Sequence, residues 1–138
     1  MTPTEPTVRF HTQRKVRFAD CDPARIAFYP RYFEMLNGIV EDWFESMGWG
    51  FGEMHLKRDI GIPTRRLEAD FLRPSHLGDL LDLKLSVLKV GRTSVDLRTR
   101  FMCGDELRWT VNQTLVLVDM KAEKSVPWPE DLRAKLVG

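Results

Sequence analysis

Residues 19–30 read ADCDPARIAFYP. Asp20 and Asp22 flank Cys21, and Pro23 and Pro30 bracket two short apolar runs. Acidic residues at this density usually sit on a solvated loop, yet here they precede the most strongly helical and apolar segment of the chain. A helix start carries unpaired amide donors and the positive end of the helix dipole. Tyr29 brings its backbone N–H to that start, and because Pro30 donates nothing, donors at the mouth are few. A carboxylate held beside them has two uses. It can brace the loop by accepting from backbone N–H groups. It can also converge with the amides on one carbonyl group, the anion attacking or activating water while the N–H groups stabilise the oxyanion. The residue types alone leave both uses open, and leave the Tyr29 ring free to pack against the helix.

The elements that must position this loop can be read from periodicity. Pro30 suits the first position of a helix, where its missing N–H costs nothing. Tyr32, Phe33, Leu36, Ile39, Val40, Trp43, Phe44 and Met47 then recur at threes and fours, with Glu34, Asn37, Glu41, Asp42 and Glu45 on the complementary stripe. So wide an apolar stripe predicts a helix buried over most of its circumference, ended by Gly48 and Gly50. Val8–Phe18 shows weak strand alternation, and residues 51–63 read as an irregular or helical connection. Four strand-like stretches follow, beginning at Thr64, Leu80, Ser94 and Leu107. In the second, the apolar phase slips between Val87 and Leu88, which predicts a β-bulge or bend. The short links at Gly91-Arg92 and Gly104-Asp105 join the last three strands into an antiparallel meander. Pro129, Glu130 and Asp131 mark a second, short helix start. The pattern predicts an α+β domain, a curved five-stranded antiparallel sheet wrapped around one long helix.

The bulk numbers narrow the class. A chain of 138 residues with 43% hydrophobic and 30% charged content is sized for a single domain over 1–138. Residues 1–7, with two prolines, read as a loose arm. A net charge of +1 gives no electrostatic pull toward nucleic acid. No apolar run approaches the ~20 residues of a membrane span, and the N-terminus lacks a signal-peptide core. Cys21 and Cys103 form no disulfide or metal pattern, consistent with a reducing, cytoplasmic setting. His11, His55 and His76 fit no metal or triad spacing, and no cofactor is expected. The serine-hydrolase elbow, the zincin motif and the P-loop are all absent.

The motif D-C-D-P-A-x-I-x-x-Y-P over residues 20–30 resembles the signature of the 4-hydroxybenzoyl-CoA thioesterase family of hotdog-fold proteins. GIPTRRLEADFLRPSHLGD (61–79), VGRTS (90–94) and PWPEDL (127–132) are similar to later, looser blocks of that family, so the likeness spans roughly residues 12–136. The resemblance implies a hotdog subunit, a homodimer or homotetramer, and hydrolysis of an acyl-CoA near a subunit interface. By motif position it implies that Asp22 is the catalytic carboxylate, as nucleophile or general base, and that Tyr29 supplies the oxyanion contact; Asp20, read on its own, orders the loop. It further implies that Arg92 and Thr93 meet the nucleotide part of coenzyme A. Where the family has glycine after D-P-A this chain has Arg25, a long cation beside the expected pocket.

Thioester cleavage suits this equipment. The leaving thiol has a pKa of about 8.5 and departs without a strong acid, so an activated attacker and an oxyanion site suffice. Phe28, Tyr29, Tyr32 and Phe33 could enclose an aromatic acyl ring, and Thr64 could line the acyl pocket. Arg65, Arg66 and Arg73 are further candidates for the phosphates of coenzyme A. Glu41 on the long helix is a rival carboxylate. A short- or medium-chain aliphatic acyl-CoA is the nearest alternative substrate. A non-catalytic acyl-binding module would tolerate loss of Asp22. A hotdog dehydratase would want a histidine on the helix, which has none.

Overall fold

The computed structural model describes residues 5–138. Its frame is one five-stranded antiparallel sheet and one long helix. The strands are β1 (Val8–Lys15), β3 (Thr64–Phe71), β4 (Leu80–Val90), β5 (Ser94–Cys103) and β6 (Glu106–Val116), in spatial order β1-β4-β5-β6-β3. The long helix is α1 (Tyr29–Ser46). A small three-stranded sheet, not anticipated from periodicity, joins β2 (Ile60–Gly61), β7 (Val118–Asp119) and β8 (Lys124–Ser125). The second helix, α2 (Glu130–Val137), starts where Pro129 places it.

The expected burial over most of the circumference of α1 is not what one protomer shows: a single broad face is buried, while Glu34, Asn37, Glu41, Glu45 and Ser46 are exposed. Tyr32, Met35, Leu36, Ile39, Val40, Trp43 and Phe44 are all buried. They pack on the inward residues of the sheet, among them Leu81, Leu83, Leu85, Val95, Leu97, Phe101, Trp109, Val111 and Leu115. To cover so broad a face the sheet has to curl. β4 supplies a bend where the phase slip predicted one: Val87 pairs with Leu97 and Lys89 with Asp96, leaving Leu88 as the extra residue of a bulge.

The expected first strand begins at Val8 as read but ends earlier than expected. β1 stops at Lys15, and Phe18, counted there as part of the strand's apolar set, instead opens a short 3-10 turn and is exposed. Val16 remains buried, its N–H donating to Asp79 O at 2.8 Å. Of the expected loose arm, residues 1–4 lie outside the described residues, while Pro6 is tied to the sheet by Ser86 Oγ, which donates to its carbonyl at 3.3 Å.

The C-terminal end of α1 is closed. Gly48 takes φ +83°, the left-handed conformation of a helix terminator, and Lys135 Nζ donates to Met47 O at 2.7 Å, setting a cation against the negative end of the dipole. Ile39, fully buried in the middle of α1, tests the packing. Ile39→Ala is expected to lower unfolding free energy by roughly 3 kcal/mol, read by urea denaturation; a loss under about 1 kcal/mol would mean the sheet does not close around the helix.

Candidate active site

The loop ahead of α1 is held in shape by its own backbone. Phe28 N–H donates to Asp20 O at 2.7 Å and Asp22 N–H to Ile26 O at 3.1 Å, with an antiparallel bridge between Cys21 and Ala27. Asp20 does what the sequence suggested: its Oδ2 accepts from Arg17 N–H at 2.8 Å and ties the 3-10 turn. Asp22 is half-buried, and its Oδ1 accepts from Ala24 N–H at 2.8 Å. No hydrogen bond or ion pair reaches Asp22 Oδ2 among the described residues. The bracing and reacting uses of this carboxylate are therefore compatible, one oxygen for each.

α1 begins at Tyr29, one residue earlier than expected, so Pro30 is its second residue. Phe28, the N-cap, offers no side-chain cap. The Tyr29 N–H has no acceptor among the described residues. An open helix N-terminus and a carboxylate with a free oxygen thus belong to one braced loop. Tyr29 lines an apolar cavity of roughly 420 Å³ together with Ile26, Ala27, Tyr32, Phe71 and Leu72, among others; Asp22 is not part of its lining. Phe71 is 51% exposed and its ring lies 6.1 Å from those of Tyr29 and Tyr32. Phe71 is the wall that the helix-centred reading of the aromatics missed; its alternation with Ala69 and Leu67 was the available signal. Phe28, expected in this enclosure, is exposed, touching it through Tyr29 with rings 5.6 Å apart.

Arg25 has φ +69°, a left-handed conformation that a side chain with a Cβ seldom adopts. Its N–H donates to Asp22 O at 2.9 Å, so the turn that carries Asp22 demands that backbone. The side chain is exposed and makes no ion pair among the described residues.

A second loop clamps the first. Ala27 N–H donates to Ser75 O at 2.8 Å, and Ile26 bridges His76. That second loop is pinned by Arg108 of β6, whose Nη1 donates to Asp79 Oδ2 at 2.7 Å and to Pro74 O at 3.1 Å. Burial works against ionisation of Asp79, yet the His76 N–H and the Arg108 guanidinium outweigh it and hold its carboxyl below the ordinary carboxylate value. His76 itself is exposed.

Other expected site residues lie elsewhere. Thr64 lines a separate cavity beside Asn37 and Val40, farther along α1. The Arg92–Thr93 turn sits near the far end of α1: Arg92 O accepts from Trp128 N–H, and the Trp128 ring lies 6.4 Å from Phe44. Within one protomer, then, Asp22 and Tyr29 lie on the same braced loop, and Thr64, Arg92 and Thr93 are not brought to it. Arg65 and Arg73 are exposed, and Arg66 pairs with Glu68. Glu41 is exposed, while Asp42 pairs with Arg14 at 3.1 Å. Among the described residues no cluster of His, Cys, Asp and Glu could hold a metal, and no helix is long and apolar enough to cross a membrane.

A curved antiparallel sheet packed on one long helix is the hotdog architecture. The comparisons agree: the thioesterase-like superfamily matches residues 16–136, and the chain belongs to it. The chain is 30% identical over 130 residues to a 1,4-dihydroxy-2-naphthoyl-CoA hydrolase of Prochlorococcus marinus (strain MIT 9515), covering 87% of this chain and 83% of that protein. A crystal structure of a 1,4-dihydroxy-2-naphthoyl-CoA thioesterase from Synechocystis superposes with a TM-score of 0.85 at 20% identity, covering 93% of this chain and 95% of that one. A gentisyl-coenzyme A thioesterase gives 0.82 at 22%, covering 94% and 100%. The enzyme class expected from the sequence, CoA-thioester hydrolase, stands with that membership.

Two outcomes test the braced loop. Arg25→Gly is expected to stabilise the fold by about 1 kcal/mol by relieving left-handed strain, seen as a rise of a few degrees in Tm; an unchanged or lower Tm would count against strain there. For Asp79 the folded pKa is depressed, so its contribution is present above the unfolded value of about 3.9 and is lost as pH falls through the folded one. Asp79→Asn is expected to lower Tm at pH 7, with the gap to wild type closing below about pH 4. A gap constant with pH would show that the ion pair contributes nothing.

Proposed function

We propose that the protein hydrolyses an aromatic acyl-CoA thioester, with Asp22 as nucleophile or as base for water and the Tyr29 N–H as oxyanion donor. The observation that supports this reading is that one braced loop carries a free carboxylate oxygen, at Asp22, and an unpaired helix N-terminus, at Tyr29, and that Tyr29 opens on an aromatic-walled cavity. The acyl carbonyl sits with its oxygen toward the Tyr29 N–H. If Asp22 attacks, its oxygen bonds to the acyl carbon, the C–S bond breaks and coenzyme A leaves as thiolate; water then cleaves the anhydride. If Asp22 is the base, it takes the proton of a water that attacks the same carbon, and the same C–S bond breaks. Both routes end at the free acid and coenzyme A. The names of the relatives, hydrolases of naphthoyl-CoA and gentisyl-CoA thioesters, favour an aromatic acyl group. So do the rings of Tyr29, Tyr32 and Phe71 lining the cavity.

The working unit in this reading is a homodimer joined along β3. That strand is an edge of the sheet, exposed along most of its length, with Leu67 42% exposed and apolar. An open edge is a template for another strand. Its sequence, TRRLEADF, is charge-complementary to itself when antiparallel: a two-fold between Leu67 and Glu68 sets Arg65 against Asp70 of the second copy. The same pairing carries Thr64 of one copy to the Phe71 end of the other. The Arg92–Thr93 turn travels with Thr64, because Thr93 O accepts from Leu117 N–H and Pro63 O from Val116 N–H. The residues that one protomer keeps apart are thereby gathered around one acyl-CoA, the cations beside its phosphates.

Asp22→Asn keeps an acceptor for the Ala24 N–H but removes the charge. It is expected to lower thiol release from aryl-CoA substrates by about a thousandfold or more, while circular dichroism and gel-filtration volume stay those of a folded dimer. Undiminished turnover across a panel of aryl and aliphatic acyl-CoAs would sink the assignment, and elution at monomer mass would sink the shared site.

A further inference from the structure

The cavity beside Thr64 holds an unmet demand. It has a volume of roughly 410 Å³ and lies between the middle of α1, the 51–55 turn and the ends of β3 and β6. Val40, Phe51, Ile62 and Leu115 give it apolar walls. Gln113 enters it from the inward face of β6, in phase with Trp109, Val111 and Leu115, and is 7% exposed. Its Nε2 donates to Thr64 Oγ1 at 3.0 Å, while its Oε1 is buried and accepts from nothing. Buried amide oxygens nearly always find a donor. His55 adds a second acceptor. Its Nδ1 lies 2.8 Å from Phe51 O; a carbonyl only accepts, so Nδ1 is the donor, and in the neutral tautomer with that proton Nε2 is an acceptor. Nε2 stands at the Gly61 wall, where a Cβ on Gly61 would come within 3.2 Å of it.

Apolar walls with two unmatched acceptors suit a flat apolar group that carries hydroxyl donors. We infer that this cavity reads hydroxyl groups on the acyl ring, and that Gln113 is the specificity-determining residue, its Oε1 accepting from a ring hydroxyl. The inference rests on the acyl-CoA hydrolase reading and adds to it the substituent that the enzyme selects. Position permits it. Asn37, on the cavity wall, follows Tyr29 by two turns of α1, ~12 Å along the axis, and pairing of β3 with its copy turns this cavity toward the copy's helix mouth. A substrate lacking the hydroxyl leaves Oε1 unpaired, and sites built around a hydroxyl discriminate on that ground.

The test compares matched thioesters: 4-hydroxybenzoyl-CoA with benzoyl-CoA, and 1,4-dihydroxy-2-naphthoyl-CoA with 2-naphthoyl-CoA. Wild type is expected to favour the hydroxylated member of at least one pair by about tenfold or more in kcat/KM, and Gln113→Leu to bring that ratio to about one. A purely structural role for Gln113 would lower both members alike and leave the ratio standing, which overturns the inference. Equal rates on both members by wild type overturn it too, while leaving the hydrolase reading intact. Should wild type hydrolyse none of the four, the hydrolase reading fails, and calorimetry decides the cavity separately. There, 1,4-dihydroxy-2-naphthoate is expected to bind wild type about tenfold more tightly than 2-naphthoate, and equal affinities overturn the inference. The same titration on wild type serves if Gln113→Leu does not fold.

Discussion

A helix buried along one broad face still has to begin and end somewhere, and its last carbonyls and first amides cannot be left in a dry interior. That constraint shapes this protein. At the C-terminal end of α1 the demand is met inside the fold, by the left-handed turn at Gly48 and the ammonium of Lys135. At the N-terminal end it is left open. Phe28 has no capping side chain, Pro30 has no amide, and the Tyr29 N–H finds no acceptor among the described residues. A chain selected for stability alone would place Ser, Thr, Asp or Asn at the position of Phe28. An open end suits the proposed reaction with its developing oxyanion, because donors already in place require no reorganisation when the charge appears.

An open end is useful only if what faces it is held still. The Asp22 loop lacks regular secondary structure, so its rigidity comes from neighbours. One oxygen of Asp22 is spent on the Ala24 amide, and Arg25 accepts a strained backbone to close the turn. The 73–79 loop grips Ile26 and Ala27 and is itself anchored to β6 through Arg108. The chain of support runs from sheet to Arg108 to Asp79 to the second loop to the first, and ends at the carboxylate. Arg25 shows the hierarchy: a residue poorly suited to φ +69° is tolerated because the contacts on either side over-determine the turn.

Much of this was legible in the residues. The spacing of Leu36, Ile39, Val40, Trp43 and Phe44 predicts α1, since burial on a helix has to follow 3.6. The slip at Val87-Leu88 predicts the bulge, since a bulge is a local failure of alternation. Positions set by pairing across the chain were not legible. Nothing local says that β3 ends up beside β6 at the sheet edge, so the exposure of Leu67 and Phe71 comes as a finding. Nor does local pattern say that Phe18 leaves the sheet while Val16 stays buried, because that depends on Asp79 reaching the Val16 amide. For the site, the D-C-D-P-A motif directed attention to Asp22 and Tyr29, but the partner loop at 73–79 and its anchor Arg108 are separated from it by tens of residues. Gln113 is intermediate. The apolar alternation through Trp109, Val111, Leu115 and Leu117 skips it, and a polar residue in an inward phase is a visible anomaly. Its meaning depends on Thr64 and His55, which only the fold brings near.

The division of labour between the two cavities follows from what each element can do. Bond-breaking needs charge and unpaired donors, which are available where secondary structure begins and a loop is exposed. Recognition of a ring and its substituents needs fixed walls, and the inner face of a sheet provides them, since each side chain there is set by the register of the strands. Gln113 pairs in register with Leu67 of β3 and Leu97 of β5, so its amide cannot drift to suit a poor ligand. A loop residue in the same role would adapt and discriminate less. Placing the reactive groups on the loop and the reading groups on the sheet lets the edge strand join them: β3 carries Thr64 at one end and Phe71 at the other. An antiparallel pair of such strands sets each kind of site against the other. In the proposed dimer, the exposed edge of β3 would be the element that makes one site out of two half-sites.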